Sequence, residues 1–220
     1  MRVTLEPSLA NTVRLAALEA SEIQLPEDGG DAIWTQIEQA AQEIRNEHEG
    51  RTVGQVPAVA YARALYRSIG IDPTKTRPSS EALLRRILKG KGLYRIHPLV
   101  DLFNLISLKL QTPVGLYDLS KIKGETVTVR IGREGEGYDG IRKDRVNVEG
   151  RFCIADDEGP FGSPTSDSLR TSIEGPVPAV LAVFFQHRDA PPSILADCLD
   201  QAEKQLTAAL RASARTIEIS

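Results

Sequence analysis

Residues 97–118, HPLVDLFNLISLKLQTPVGLYD, carry the tightest local constraints in the chain. Pro98 has no N–H to leave unsatisfied, so it suits the first position of a helix, with His97 before it as the N-cap. Leu99, Leu102, Phe103, Ile106 and Leu110 recur at spacings of three and four, which predicts a helix with an apolar face. Pro113 ends that helix, and Val114 to Tyr117 reads as a short apolar strand closed by Asp118. Asp101 and Asn104 fall inside the apolar helix, three apart and therefore close on one side. An acid and an amide on a buried helix, feeding a strand that ends in an acid, predict one wall of a polar site.

The rest of the chain supplies elements around this unit. Strands are expected at 3–5 and 13–23, and a helix over 32–49 that puts Ile33, Trp34, Ile37, Ala40, Ala41 and Ile44 on one face. Gly50 suits its C-terminal cap. A second helix opens at Pro57 and runs to Gly70, and Ser79 is a candidate N-cap for a third over 80–89. Residues 125–131 alternate and predict a strand; 145–148 and 151–155 read as two short ones. The run 179–185 is apolar throughout and predicts a buried strand. An amphipathic helix follows over 193–212, and a last strand over 216–219. Helices and strands mix without regular alternation, so the expected class is α+β, with mixed or antiparallel sheets and packed helices. No linker-like stretch divides the 220 residues, so 1–220 are expected to form a single domain.

Composition narrows the setting. A chain of this length can bury a core without disulfides, and its two cysteines, Cys153 and Cys198, predict no disulfide framework. No apolar run is long enough for a membrane-spanning helix, and the first residues lack the apolar core of a signal peptide. A cytoplasmic protein is the expectation. The formal net charge of -3 argues against indiscriminate nucleic-acid binding, yet basic residues cluster locally. Arg85, Arg86, Lys89, Lys91 and Arg95 form one group; Arg130, Arg133, Arg142, Lys143 and Arg145 form another.

The helix-strand unit resembles the B3/B4 domain, the editing domain of the phenylalanyl-tRNA synthetase beta subunit. That family has N-x-V-D-x-T-N-x-V on a helix, followed by Q-P-x-H-x-(F/Y)-D. This chain matches at Val100, Asp101, Asn104, Pro113, Tyr117 and Asp118 with the spacing kept. Weaker agreement continues through Gly124, residues 134–140 and residues 153–156, and the resemblance spans 83–185. It implies a B3/B4-like fold and a freestanding aminoacyl-tRNA deacylase that hydrolyses the ester of a mischarged tRNA. Asn104 and Asp118 take the catalytic positions. Asp101, Phe103, Gly115, Asp156, Gly162, Ser163, Thr165, Ser166, Asp167 and Thr171 become candidates for substrate binding, and Arg85, Arg86, Lys89, Lys91 and Arg95 for tRNA. No metal or other cofactor is expected. The alternative is a non-catalytic tRNA- or RNA-binding module, or an amino-acid-binding protein.

Departures from the motif bear on the substrate. The family's threonine is Phe103 here, its histidine is Gly115 and its glutamine is Thr112. Tyrosine is therefore not inherited as the amino acid removed. The acids Asp101, Asp118, Asp156, Asp157 and Asp167 suggest a pocket for a basic amino acid or an analogue, such as canavanine on tRNA-Arg. Other patterns carry less. Gly135, Gly137 and Gly140 fit G-x-G-x-x-G, but no helix follows to aim at a pyrophosphate, so a hairpin is expected. His97 and Asp101 stand four apart without a third ligand at metal spacing; His48 and His187 are expected at the surface. Residues 159–172 read as a polar loop beside the pocket.

Overall fold

A computed structural model gives the fold, describing residues 1–141 and 144–220; Arg142 and Lys143 of the second basic group lie outside the described residues. Its centre is β10 (Ala179–His187). β2 (Val13–Ser21) pairs with it antiparallel along its whole length, and β3 (Val114–Asp118) pairs antiparallel on its other side. With β11 (Ser213–Ile217) outside β2, these strands make a four-stranded sheet.

Successive side chains of a strand point to opposite faces, so a strand apolar at every position must be covered twice. β10 is. Val180, Ala182 and Phe184 face a helical layer of α1 (Asp31–Glu47), α4 (Pro98–Leu110) and α5 (Ser193–Leu210). Leu181, Val183 and Phe185 face a second, five-stranded sheet. That sheet runs in the order β1 (Arg2–Leu5), β4 (Thr126–Ile131), β7 (Phe152–Asp156), β8 (Gly159–Ser163) and β9 (Ser166–Asp167). β1 lies parallel to β4, and the other pairs are antiparallel. The architecture is therefore helices on sheet on sheet, with one core on each face of β10. A third cluster joins α2 (Val59–Ser68), α3 (Ser79–Leu88) and the outer side of α4.

Local chemistry follows the sequence reading at α4. His97 is the N-cap, its ring accepting from the Leu99 N–H, and Pro98 takes the first helical position. Gln111 adopts a left-handed conformation (φ 50°) just past the last turn, so the chain leaves the helix two residues before Pro113. Several expectations need correction. Ser79 is the first residue of α3 and not its cap, because the Pro78 carbonyl already accepts from the Ala82 N–H at 2.9 Å. Residues 159–172 are not a loop throughout. Phe161 is fully buried and stacks edge-on against Tyr117 at 4.9 Å, and burying it draws the polar stretch into β8 and β9. The final strand sits at 213–217, earlier than expected. His48 is 11% exposed at its side chain, because it caps α1 with the ring turned inward. His187 is also half-buried. The glycine-spaced motif forms the hairpin of β5 (Gly137–Asp139) and β6 (Arg145–Asn147).

Among the described residues no helix is long and apolar enough to cross a membrane. Cys153 and Cys198 are buried and free.

The helical side is tied by buried charge. Glu81 on α3 is fully buried and takes two bonds of 2.7 Å from the Arg63 guanidinium on α2. Arg77 stands 4.0 Å from the same carboxylate. Removing one member of such a pair strands the other. We expect Glu81→Gln to lower unfolding free energy by about 3 kcal/mol. Urea denaturation would show it as a reduced midpoint at unchanged slope.

Candidate functional site

Polar groups of the predicted site fall into three places. The first lies under the β8–β9 hairpin. Tyr117 on β3 points between the two sheets, its ring wedged between Gly115 and Gly162. A Cβ added at Gly115 would stand 2.1 Å from the Tyr117 hydroxyl, and one at Gly162 2.6 Å from it. Both positions need glycine while the tyrosine fills that space. Tyr66 donates its hydroxyl to the Pro164 carbonyl, and Tyr138 donates to the Ser166 carbonyl, its oxygen lying 3.1 Å from Ser163 Oγ. Ser163 Oγ lies 3.0 Å from Thr165 Oγ1. Asp167 stands among these rings. Burial above all, and then the Asp167 charge, raise the pKa values of Tyr66, Tyr117 and Tyr138 above the usual phenol range. All three phenols therefore stay protonated at neutral pH, and those of Tyr66 and Tyr138 donate to backbone carbonyls.

Ser163 and Thr165 also floor a cavity of about 240 Å3. Its walls are the 70–76 loop, with Ile71, Lys75 and Thr76, and the β6–β7 connection, with Asn147, Arg151 and Phe152. Lys75 and Arg151 are exposed at its edge. The sequence reading missed both cations and the tyrosines Tyr66 and Tyr138. Lys75 lies in a loop with two prolines and Arg151 follows a glycine, so neither carried a periodic signal.

The second place is α4. Asp101 is buried and accepts from Trp34 Nε1 at 3.0 Å and from the Ile96 N–H at 3.1 Å. Burial raises its pKa above the usual carboxylate value in spite of those donors. Phe103 is buried in the helical core against Phe184. Asn104 is half-buried and does not border the cavity under the hairpin.

The third place is the turn after β3. Asp118 accepts from the Ser120 N–H at 3.0 Å and from Ser120 Oγ at 2.7 Å, and lies 3.6 Å from Lys121 Nζ. Its own N–H donates to the Thr171 carbonyl, and the Thr171 hydroxyl lies 3.1 Å from Ser168 Oγ. Arg170 grips both oxygens of the fully buried Asp156 carboxylate at 2.9 Å and also donates to the Lys121 carbonyl. Burial pushes the Asp156 pKa up, but the bonds from Arg170 and the Lys123 N–H outweigh it and leave the pKa below the usual value. Asp157 is exposed and lines an outer groove with Asp156, Arg130, Arg133 and Glu136. The five acids of the expected acidic pocket thus do not share one pocket, and Asp101, Asp118 and Asp156 are each spent on an internal partner. Asp167 is the one beside the hydroxyl cluster.

The basic residues hold different positions. Arg86 and Arg95 pack over rings, and Lys89 and Lys91 are exposed. Among the described residues no group of three or more His, Cys, Asp or Glu is placed to hold a metal.

Fold and site together define a two-sheet α+β domain with a small hydroxyl-floored cavity under a β-hairpin. The family model of the B3/4 domain matches residues 61–175, just over half of the chain. The chain belongs to the B3/4 domain family. It is 39% identical over 82 residues to the phenylalanine–tRNA ligase beta subunit of Bartonella henselae, covering 37% of this chain and 10% of that protein. It is 36% identical over 88 residues to the same subunit of Brucella abortus, covering 39% and 11%. The chain thus spans about a tenth of the length of these relatives. An N-terminal fragment of the phenylalanyl-tRNA synthetase beta subunit from Pyrococcus horikoshii matches all of this chain with 51% of its own length, at a TM-score of 0.53 and 11% identity. That likeness extends the shared fold over the whole chain.

The lowered Asp156 pKa fixes a sign. A depressed carboxylate contributes stability above its unfolded pKa of about 3.9, and loses it as pH falls through the folded value. Arg170→Met should cost about 2 kcal/mol at neutral pH. The gap from wild type should narrow below pH ~4 as Asp156 protonates in both proteins. Urea midpoints across that range would measure it.

Proposed function

We propose that this protein is a freestanding aminoacyl-tRNA deacylase, hydrolysing the ester of a mischarged tRNA in trans. The observation that carries the reading is the cavity under the hairpin. At about 240 Å3 it lies below the range of pockets for drug-sized ligands, roughly 300–1,000 Å3, and suits an aminoacyl group. Its floor offers the Ser163 and Thr165 hydroxyls, fixed by Tyr138, and its edge offers the Lys75 and Arg151 cations. Membership of the B3/4 family and resemblance to the editing domain support the same reading.

The chemistry asked of the site is modest. An aminoacyl ester is already activated. Positioned water, assisted by a ribose hydroxyl of the tRNA, can attack it. Hydroxyl and cationic donors then stabilise the developing oxyanion. Ser163 and Thr165 would orient the water or the carbonyl; Lys75 and Arg151 would meet the oxyanion or the terminal phosphate. Asp118 would act as a positioning residue, holding the Ser120 turn and the Thr171 backbone. The Asp167 charge lies next to the floor, so a cationic side chain, such as that of a basic amino acid or canavanine on tRNA-Arg, would be stabilised there.

A panel of mischarged tRNAs tests the reading. Release of a basic amino acid or analogue is expected, with tyrosine on tRNA-Phe spared. Ser163→Ala combined with Thr165→Val should lower kcat about 100-fold. Asp167→Asn should suppress release of the basic amino acid with tRNA affinity unchanged. A fully active Asn variant, or clearance of tyrosine in preference to basic residues, would overturn the specificity. Binding of tRNA without release of any amino acid would replace the deacylase with a non-catalytic binding module. Affinity for tRNA should also fall steeply between low and physiological salt, since phosphate contacts release counterions.

A further inference from the structure

The loop between α3 and α4 exposes an aromatic ring that no part of the fold requires. Tyr94 is 69% exposed and Ile96 62% exposed. Singly exposed apolar side chains are ordinary, so the setting of the ring decides what it can do. The loop around them is held firmly. Arg86 Nε and Nη2 donate to the Gly92 carbonyl at 3.1 and 2.8 Å, and the Lys91 N–H donates to the Arg86 carbonyl at 2.9 Å. Leu93 packs into the helical clusters. Past Tyr94, Arg95 reaches Asp31 at 2.6 Å and lies over the Trp34 ring, and the Ile96 N–H is fixed by Asp101. Tyr94 is thus pinned on both sides in sequence while its ring projects. The Arg86 guanidinium covers one face of that ring, 4.1 Å from its centroid. Lys89 and Lys91, which precede it in the same loop, are exposed.

We propose that Tyr94 is a stacking platform for a base of single-stranded nucleic acid, with Lys89 and Lys91 on the adjoining phosphates. A flat ring backed by a cation leaves one face for a second flat ring. Stacking of that kind accepts any base but needs it unstacked from its neighbours, which favours a single strand over a duplex. This inference rests on the deacylase reading for its biological partner, the single-stranded 3′ end of a tRNA. α3, at ten residues, is about 15 Å long. It links this loop to the 70–76 wall of the cavity, so one strand end could touch both.

The test uses the full chain and a labelled single-stranded oligoribonucleotide, with its duplex as control. Wild type should bind the single strand in preference to the duplex. Tyr94→Ala should weaken single-strand binding about 5- to 150-fold, whereas Tyr94→Trp and Tyr94→Phe should retain it. Replacing Lys89 and Lys91 by Gln should reduce the salt slope by about 0.7 per lysine. Equal binding by Tyr94→Ala would overturn the platform. Equal loss in Tyr94→Phe would overturn stacking as its basis. Tyr94-dependent capture of polyglutamate as strong as that of RNA would assign the patch to an acidic protein instead. Deacylation is followed in parallel. Activity without Tyr94-dependent RNA binding defeats this proposal alone; Tyr94-dependent binding without activity supports it and defeats only the deacylase reading.

Discussion

Everything in this protein is hung on a strand that has no polar face. β10 is buried on both sides, so the chain must supply two covers, a layer of helices and a second sheet. Its neighbours obey the same demand. Ala16, Leu18 and Ala20 of β2 join the helical core while Val13, Leu15 and Ala17 join the inter-sheet core. A slip of one residue in pairing would exchange the two sets, placing Phe184 where Phe185 fits. Register is therefore enforced by two cores at once, and β3 receives a fixed position from it. The Tyr117 ring and the Asp118 turn are aimed by the same pairing.

Sequence periodicity reveals this much because burial leaves a mark on it. The double-faced run of β10, the three-and-four spacing on α4 and the Pro98 start are local signals, and the elements formed where they pointed. β8 and β9 were hidden because one buried ring, Phe161, sits in a run of glycine, proline and hydroxyl residues that reads as loop. Local pattern cannot register that Tyr117, from a distant strand, is waiting to pack on it.

The candidate site was legible in residue type and less so in arrangement. A carboxylate in sequence does not disclose its partner. Asp101 faces an indole from α1, Asp156 a guanidinium from the loop after β9, and Asp118 a hydroxyl two residues on. Each looks like a pocket acid until that partner is seen. Ser163, Thr165 and Asp167 stayed together because a tight hairpin keeps neighbours in sequence neighbours in space. The cavity cations came from two unrelated loops, a convergence created only by folding.

The wedge of Tyr117 between Gly115 and Gly162 has a consequence for how such a site can change. Positions 115, 117 and 162 compete for one volume. A side chain gained at either glycine requires the Tyr117 ring to turn out of the space it fills here. The family motif, which has an imidazole and an aromatic ring at the positions of Gly115 and Tyr117 together, needs a different course for that ring.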